Sequence, residues 1–114
     1  MSDCLFCRII RKEIPASIVY EDDHVLAFND INPQAPLHAL VIPKRHIDSL
    51  NSLSEQDDAL VGEVVRRAAS IARDKGYGDR GYRTVFNTNA EAGQTVFHIH
   101  LHLLAGRGLT WPPG

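Results

Sequence analysis

Three histidines, His98, His100 and His102, alternate with Ile99, Leu101 and Leu103 near the C-terminus of a 114-residue chain. A neutral imidazole titrates near physiological pH, so it can attack an electrophile, hand over a proton, or do both. Alternation with large apolar residues predicts a strand over His98–Ala105, with the three rings on one face. Neighbours on one strand face are roughly 6.8 Å apart, which puts His98 about 13 Å from His102. One metal ion cannot span that distance, so the histidines must divide the work. His100, in the middle, is the best placed nucleophile.

The polar loop just upstream, residues 88–95, has the composition of a ligand-binding connection. Gly93-Gln94-Thr95 is expected to offer backbone N–H groups and a hydroxyl to an anion, because glycine allows the close approach that an anion-binding concavity needs. Asn87 adds an amide donor. A phosphate held there would lie beside the histidine row. His102 and a fourth histidine, His38, would then donate charge-assisted hydrogen bonds to the phosphoryl oxygens, where a phosphoryl transition state gains most. Asp30 follows an apolar run and can accept from the vicinal hydroxyls of a sugar, although an aspartate before a turn is more commonly a cap.

A second constellation uses sulfur. Cys4 and Cys7 form a C-x-x-C pair, and with His46 and His98 they make an S₂N₂ set suited to tetrahedral zinc. Four protein ligands leave no open position, so such a site is structural and staples the N-terminal segment to the sheet. The alternatives are two small buried thiols or a redox pair, with His46 merely solvated after Lys44-Arg45.

These residues need elements to position them. Cys4 to Lys12 carries Leu5, Phe6, Ile9 and Ile10, which suits one or two turns of amphipathic helix closed by Pro15. Ser17–Glu21 and His24–Asn29 read as strands joined at Asp22-Asp23, and the two prolines of Asn32–Pro36 require a loop. His38–Ile42 is a third strand, stopped at Pro43. Ser54 begins a helix that runs to about Lys75 and ends at Gly76, with Leu60, Val61, Val64, Val65, Ala68, Ile71 and Ala72 as its apolar stripe. Gly62 within it either admits close packing, for example by another subunit, or is a tolerated surface glycine. Tyr82–Asn87 is a fourth strand and the histidine segment a fifth. Connections this short favour hairpins over parallel crossovers, so the expected fold class is α+β with an antiparallel sheet, as one domain over residues 1–114.

Composition excludes other classes. Twelve basic residues against fourteen acidic leave a net charge of −2, which gives no basic surface for nucleic acid. The N-terminus has no signal-peptide pattern, and no run approaches the ~20 apolar residues of a membrane span. A soluble, cytoplasmic protein with no membrane partner is the expectation.

The run His98-Ile-His-Leu-His-Leu-Leu104 resembles the pattern of the histidine triad (HIT) family. The similarity extends through Ile14-Pro15, Glu21-Asp22, Ala27-Phe28, Asp30-Ile31, Pro36, His38, Leu40–Lys44, His46, Ala92–Thr95 and the terminal Trp111-Pro-Pro-Gly114. The tail resembles the branch of histidine triad nucleotide-binding proteins. That resemblance implies a five-stranded antiparallel HIT fold with one long helix and a short N-terminal helix, assembled as a homodimer. It implies His100 as nucleophile, His38, His98 and His102 as its helpers, and Thr95 as the group assisting a leaving amine. It further implies Asp30 on the ribose, Ile14, Phe28 and Ile31 around the base, and Asn87, Gly93, Gln94 and Thr95 around the phosphate. Trp111 would serve its own pocket or that of a neighbouring subunit. Zinc would fall on Cys4, Cys7, His46 and His98, moving His98 from catalysis to metal binding, and no cofactor would be needed for catalysis. The cysteine pair and this tail are features that commonly occur in different members.

The implied activity is hydrolysis of purine nucleoside 5′-phosphoramidates or acyl-adenylates to the nucleoside monophosphate, through a nucleotidyl-His100 intermediate. A sister branch hydrolyses dinucleoside polyphosphates with the same triad, and its tail differs. Uridylyl transfer is disfavoured by the presence of His102. A nucleotide-binding regulatory module acting through a protein partner is the reading from outside enzymology.

Overall fold

The computed structural model describes residues 4–114. A short helix α1 (Leu5–Ile10) leads into β1 (Ile18–Glu21), β2 (Val25–Asn29) and β3 (Leu37–Pro43), then a long helix α2 (Asp58–Asp74), and finally β4 (Tyr82–Phe86) and β5 (Leu101–Ala105). The five strands form one sheet in the order β1-β2-β3-β5-β4, and every neighbouring pair is antiparallel. Chain order and sheet order differ at one place, where α2 carries the chain from β3 across to the far edge.

All seven residues of β3 are buried, because the sheet is covered on both faces. Leu37, Ala39 and Val41 point to the α2 side, where they meet Leu101, Leu103 and Ala105 of β5 and Val64, Ala68, Ile71 and Ala72 of the helix. Leu40 and Ile42 point the other way and pack with Leu26, Phe28 and the α1 residues Phe6 and Ile9. This alternation is the two-residue period of a strand. It puts His38 on the α1 side, and the register pairs Leu40 with His102 and so brings His102 to that side as well.

Local chemistry sets the boundaries. The Asp22 carboxylate accepts the His24 and Val25 amides at 2.8 Å, closing the β1–β2 hairpin. The Asp57 carboxylate accepts the Ser54 amide at 2.9 Å, and one 3₁₀ turn (Glu55–Asp57) feeds into α2. Gly76, at φ +90°, lets the chain leave after Lys75 in a conformation that side chains disfavour.

Two expectations change. The strand expected over His98–Ala105 begins only at Leu101, since β4 supplies its last partner at Phe86. Residues 98–100 turn off the sheet, with the Ile99 amide donating to the Ile47 carbonyl at 2.6 Å. On α2, Val65 is exposed and not part of the buried stripe, and Gly62 is exposed with open space where a Cβ would stand. Among the described residues nothing requires glycine at 62. Among the described residues, no helix is long and apolar enough to cross a membrane.

Candidate active site and metal-ligand cluster

The break before Leu101 sorts the histidines into two clusters. A carbonyl oxygen can only accept and a backbone N–H can only donate, so their contacts fix where each ring carries its proton. His98 donates Nε2–H to the Pro43 carbonyl at 2.8 Å, which leaves a lone pair on Nδ1. His46 donates Nε2–H to the Asp48 carboxylate at 2.8 Å, with the same result. The two bare Nδ1 atoms face each other at 3.2 Å and would repel unless something positive lay between them.

The cysteines complete that space. Cys4 Sγ is 3.4 Å from His98 Nδ1, and Cys7 Sγ is 3.4 Å from His46 Nδ1 and 3.6 Å from His98 Nδ1. A tetrahedral ion with bonds of about 2.3 Å to sulfur and about 2.05 Å to nitrogen requires sulfur–nitrogen edges of roughly 3.5 Å and a nitrogen–nitrogen edge of roughly 3.3 Å. The four ligand atoms match that figure, so Cys4, Cys7, His46 and His98 lie close enough to hold a metal. Burial, followed by the neighbouring Cys4, pushes the Cys7 thiol up, and a cation at the centre would reverse that preference. Burial holds His98 down to about 4, so the ring is neutral and able to ligate.

Asp30, His38 and His102 also converge, but the His38 proton points into the space between them. The Gln34 amide donates to His38 Nδ1 at 3.0 Å, so His38 carries its proton on Nε2. That nitrogen lies 3.0 Å from His102 Nδ1 and 3.4 Å from Asp30 Oδ2. His102 Nδ1 is therefore an acceptor, and the His102 proton sits on Nε2. A metal on His38 Nε2 would demand an imidazolate, so the contacts suit a hydrogen-bonded chain from Gln34 through His38 to His102 better than a second ion site. Burial, with His100 and His38 close by, pushes His102 down to about 4.

His100 stands between the clusters. Its Nδ1–H donates to the His98 carbonyl at 2.7 Å, leaving the Nε2 lone pair free. Phe6 of α1 stands edge-on to the ring at 5.1 Å between centroids, and burial lowers the pKa of His100. The nucleophilic form is the neutral one.

His100 and His102 line a cavity of about 390 Å³. Ile14, Phe28, Asp30, Ile31, Asn87, Gly93 and Thr95 line it as well, so nine of the residues singled out from sequence meet in one hollow. Ile31 is fully exposed at its rim, at 101 % of its reference surface. A hollow of similar size lies beside α2, lined by His24, Lys44, Arg45 and Glu63 among others; it contains none of the triad.

The remaining residues sit elsewhere. His38 lies behind His102, and Thr95 carries its hydroxyl at an exposed position on the cavity wall. The Gly93 and Gln94 amides donate within the loop, to the Ala90 and Asn89 carbonyls at 3.0 Å. The Gln94 carboxamide is buried behind the loop, where it accepts from the Asn89 amide and donates to the Asp48 and Val96 carbonyls. Trp111 is 82 % exposed and outside the cavity of its own chain, on a tail that Arg83 holds through the Leu109 and Thr110 carbonyls. Sequence reasoning missed the walls supplied by Leu5, Phe6, Ile9, Leu40 and Val96. The amphipathic pattern of α1 marked three of them as buried, but not as cavity wall.

Comparison with known proteins agrees with this fold. The family model described as "Scavenger mRNA decapping enzyme C-term binding" matches residues 3–108. An uncharacterized HIT-like protein of Synechocystis is 54 % identical over 112 residues, 98 % of this chain and 97 % of that one. The purine nucleoside phosphoramidase of Escherichia coli K12 is 49 % identical over 107 residues, 94 % of this chain and 90 % of that one. The crystal structure of a HIT family hydrolase from Legionella pneumophila superposes with a TM-score of 0.97 at 53 % identity, covering 98 % of this chain and all of the other. A shared backbone and half of the residues in common, along the whole length, are more than a fold likeness, and the chain belongs to the histidine triad family as one of its hydrolases.

Proposed function

We propose that the chain hydrolyses purine nucleoside 5′-phosphoramidates, and acyl-adenylates of the same shape, through a nucleotidyl intermediate on His100. The hydrogen bond from His100 Nδ1 to the His98 carbonyl carries the reading, because it presents an unprotonated Nε2 to the cavity. Nε2 bonds to the α-phosphorus as the bond from phosphorus to the leaving group breaks. The Thr95 hydroxyl and His102 Nε2–H supply the proton that an amine needs to leave. The imidazolium so formed keeps Nδ1–H against a carbonyl whose negative end stabilises the charge. Water then attacks phosphorus, the P–Nε2 bond breaks, and the proton from water restores the relay.

In this reading Asp30 accepts from the ribose hydroxyls, Ile14, Phe28 and Ile31 enclose the base, and Asn87 and Thr95 hold the phosphate, with Gly93, whose amide is engaged by the Ala90 carbonyl, leaving it room and Gln94 shaping the loop from behind. The name of the Escherichia coli relative supports the purine phosphoramidate class. Zinc is the ion that suits the two thiolates and two imidazoles, and it would staple α1 to residues 46–48 and 98 without taking part in a chemical step. Two free cysteines fit a reducing cytoplasm. The exposed Trp111 fits a homodimer in which the tail of each subunit completes the neighbouring site.

Rapid acid quench of adenosine 5′-phosphoramidate turnover, followed by mass spectrometry, should find AMP attached to His100. The His100→Ala variant should lose at least about 10³-fold in kcat. Normal turnover by that variant, or a substrate consumed with no adduct, would defeat the reading.

A further inference from the structure

We propose that Arg107, which lies outside the cavity, is a positioning residue for the His38–His102 relay. The inference rests on the reading above. Arg107 Nε–H donates to the Gln34 carbonyl at 2.8 Å, and its Nη1 donates to the Gly108 carbonyl at 2.9 Å. The amide of the same Gln34 is the donor on His38 Nδ1 at 3.0 Å. One residue thus presents its carbonyl to the guanidinium and its N–H to the relay.

That donor orients the His38 ring. Turned over about its χ2 axis, an imidazole exchanges Nδ1 with Cδ2 and Nε2 with Cε1, and His38 would then offer carbon to His102. Only the Gln34 amide rewards one orientation on the Nδ1 side, since a fixed N–H donor needs a lone pair opposite it. The Gln34 amide must therefore stay put, and Gln34 lies in an exposed, proline-containing connection between β2 and β3. Within that connection, the Gln34 carboxamide donates to the Asn32 carbonyl at 3.0 Å and the Asn32 amide donates to Asp30 Oδ1 at 2.8 Å. Arg107 is the clamp that arrives from another element, the turn after β5.

The turn is seated closely enough to serve. A Cβ on Gly106 would fall 2.8 Å from the Pro36 Cβ, so residues 106–107 lie directly against the connection they brace. A guanidinium with Nε on one carbonyl and Nη1 on another grips two carbonyls at once, which an ammonium cannot reproduce in full. A bland role, holding a surface turn, would influence stability and nothing else.

Steady-state kinetics on an adenosine 5′-phosphoramidate, together with amide hydrogen exchange at Gln34, separates the two. The Arg107→Ala variant should lose about tenfold in kcat with KM within about twofold, since misplacing a relay group slows the chemical step more than it weakens binding. Its Gln34 amide should exchange at least tenfold faster, and Arg107→Lys should recover part of both. Unchanged kcat, or kcat, KM and the melting midpoint moving together, would overturn the proposal. An inactive wild type would defeat the phosphoramidase reading instead, and unchanged Gln34 exchange in Arg107→Ala would still overturn the clamp.

Discussion

Phe6 stands edge-on to His100, with ring centroids 5.1 Å apart and planes at 88°. It makes similar contacts with Phe28 at 5.3 Å and His98 at 5.9 Å. One buried residue of α1 therefore touches the proposed nucleophile, the cavity wall at Phe28 and a residue of the metal-ligand cluster. Truncating Phe6 to alanine should cost about 3–5 kcal/mol of stability, from lost burial and the hollow left behind. Chemical denaturation would measure that loss, and titration with AMP should show weaker binding, because the same hollow opens into the cavity.

The lone pairs of His46 and His98 converge with two sulfurs, so the purified protein should contain about one zinc per chain by elemental analysis. A resident ion at a hundred times its Kd contributes about 2.7 kcal/mol of stability. Cys7→Ser should abolish the metal and lower the melting midpoint by several degrees, and strong chelation should do the same to the wild type. A metal-free protein with an unchanged midpoint would remove the staple.

His102 is held down to about 4 by burial first, then by His100 and His38, with the Asp30 carboxylate opposing them. An unfolded histidine titrates near 6.5, so between pH 6.5 and about 4 the unfolded chain takes up a proton that the folded ring refuses. The contribution of this ring to stability is therefore complete above pH 6.5 and declines as pH falls through that window. Urea midpoints between pH 7 and 4.5 should drop for the wild type, and His102→Asn should flatten part of that slope.

Much of this was legible in the chain because particular residues leave few choices. The β-rich runs of β2 and β3, the alternation of β5, the Ser54 helix start and the Gly76 stop are local signals, and each appears in the structure. The start of β5 was not local. His98 and Ile99 alternate like strand residues, yet their bonds go to Pro43 and Ile47, far back in the chain, and those partners have no sequence mark. Gln94 is similar: its type and position beside Thr95 suggest a ligand, while its carboxamide is occupied in bracing the loop from within. Val65 fits the helical stripe by spacing, but lies at an edge that the sheet does not reach. From the residues alone the cavity was visible only by its polar side, and Ile14, Phe28 and Ile31 entered through the family resemblance, because α1 gives the same apolar signal whether it covers a core or a ligand.

Since β3 is enclosed from Leu37 to Pro43, none of its seven positions has a solvent side where replacement is cheap. A saturation library screened for folded protein should return that strand as the least forgiving stretch of the chain. Variation among descendants would instead collect on the margins, β1 and β4, where exposed side chains leave the packing indifferent.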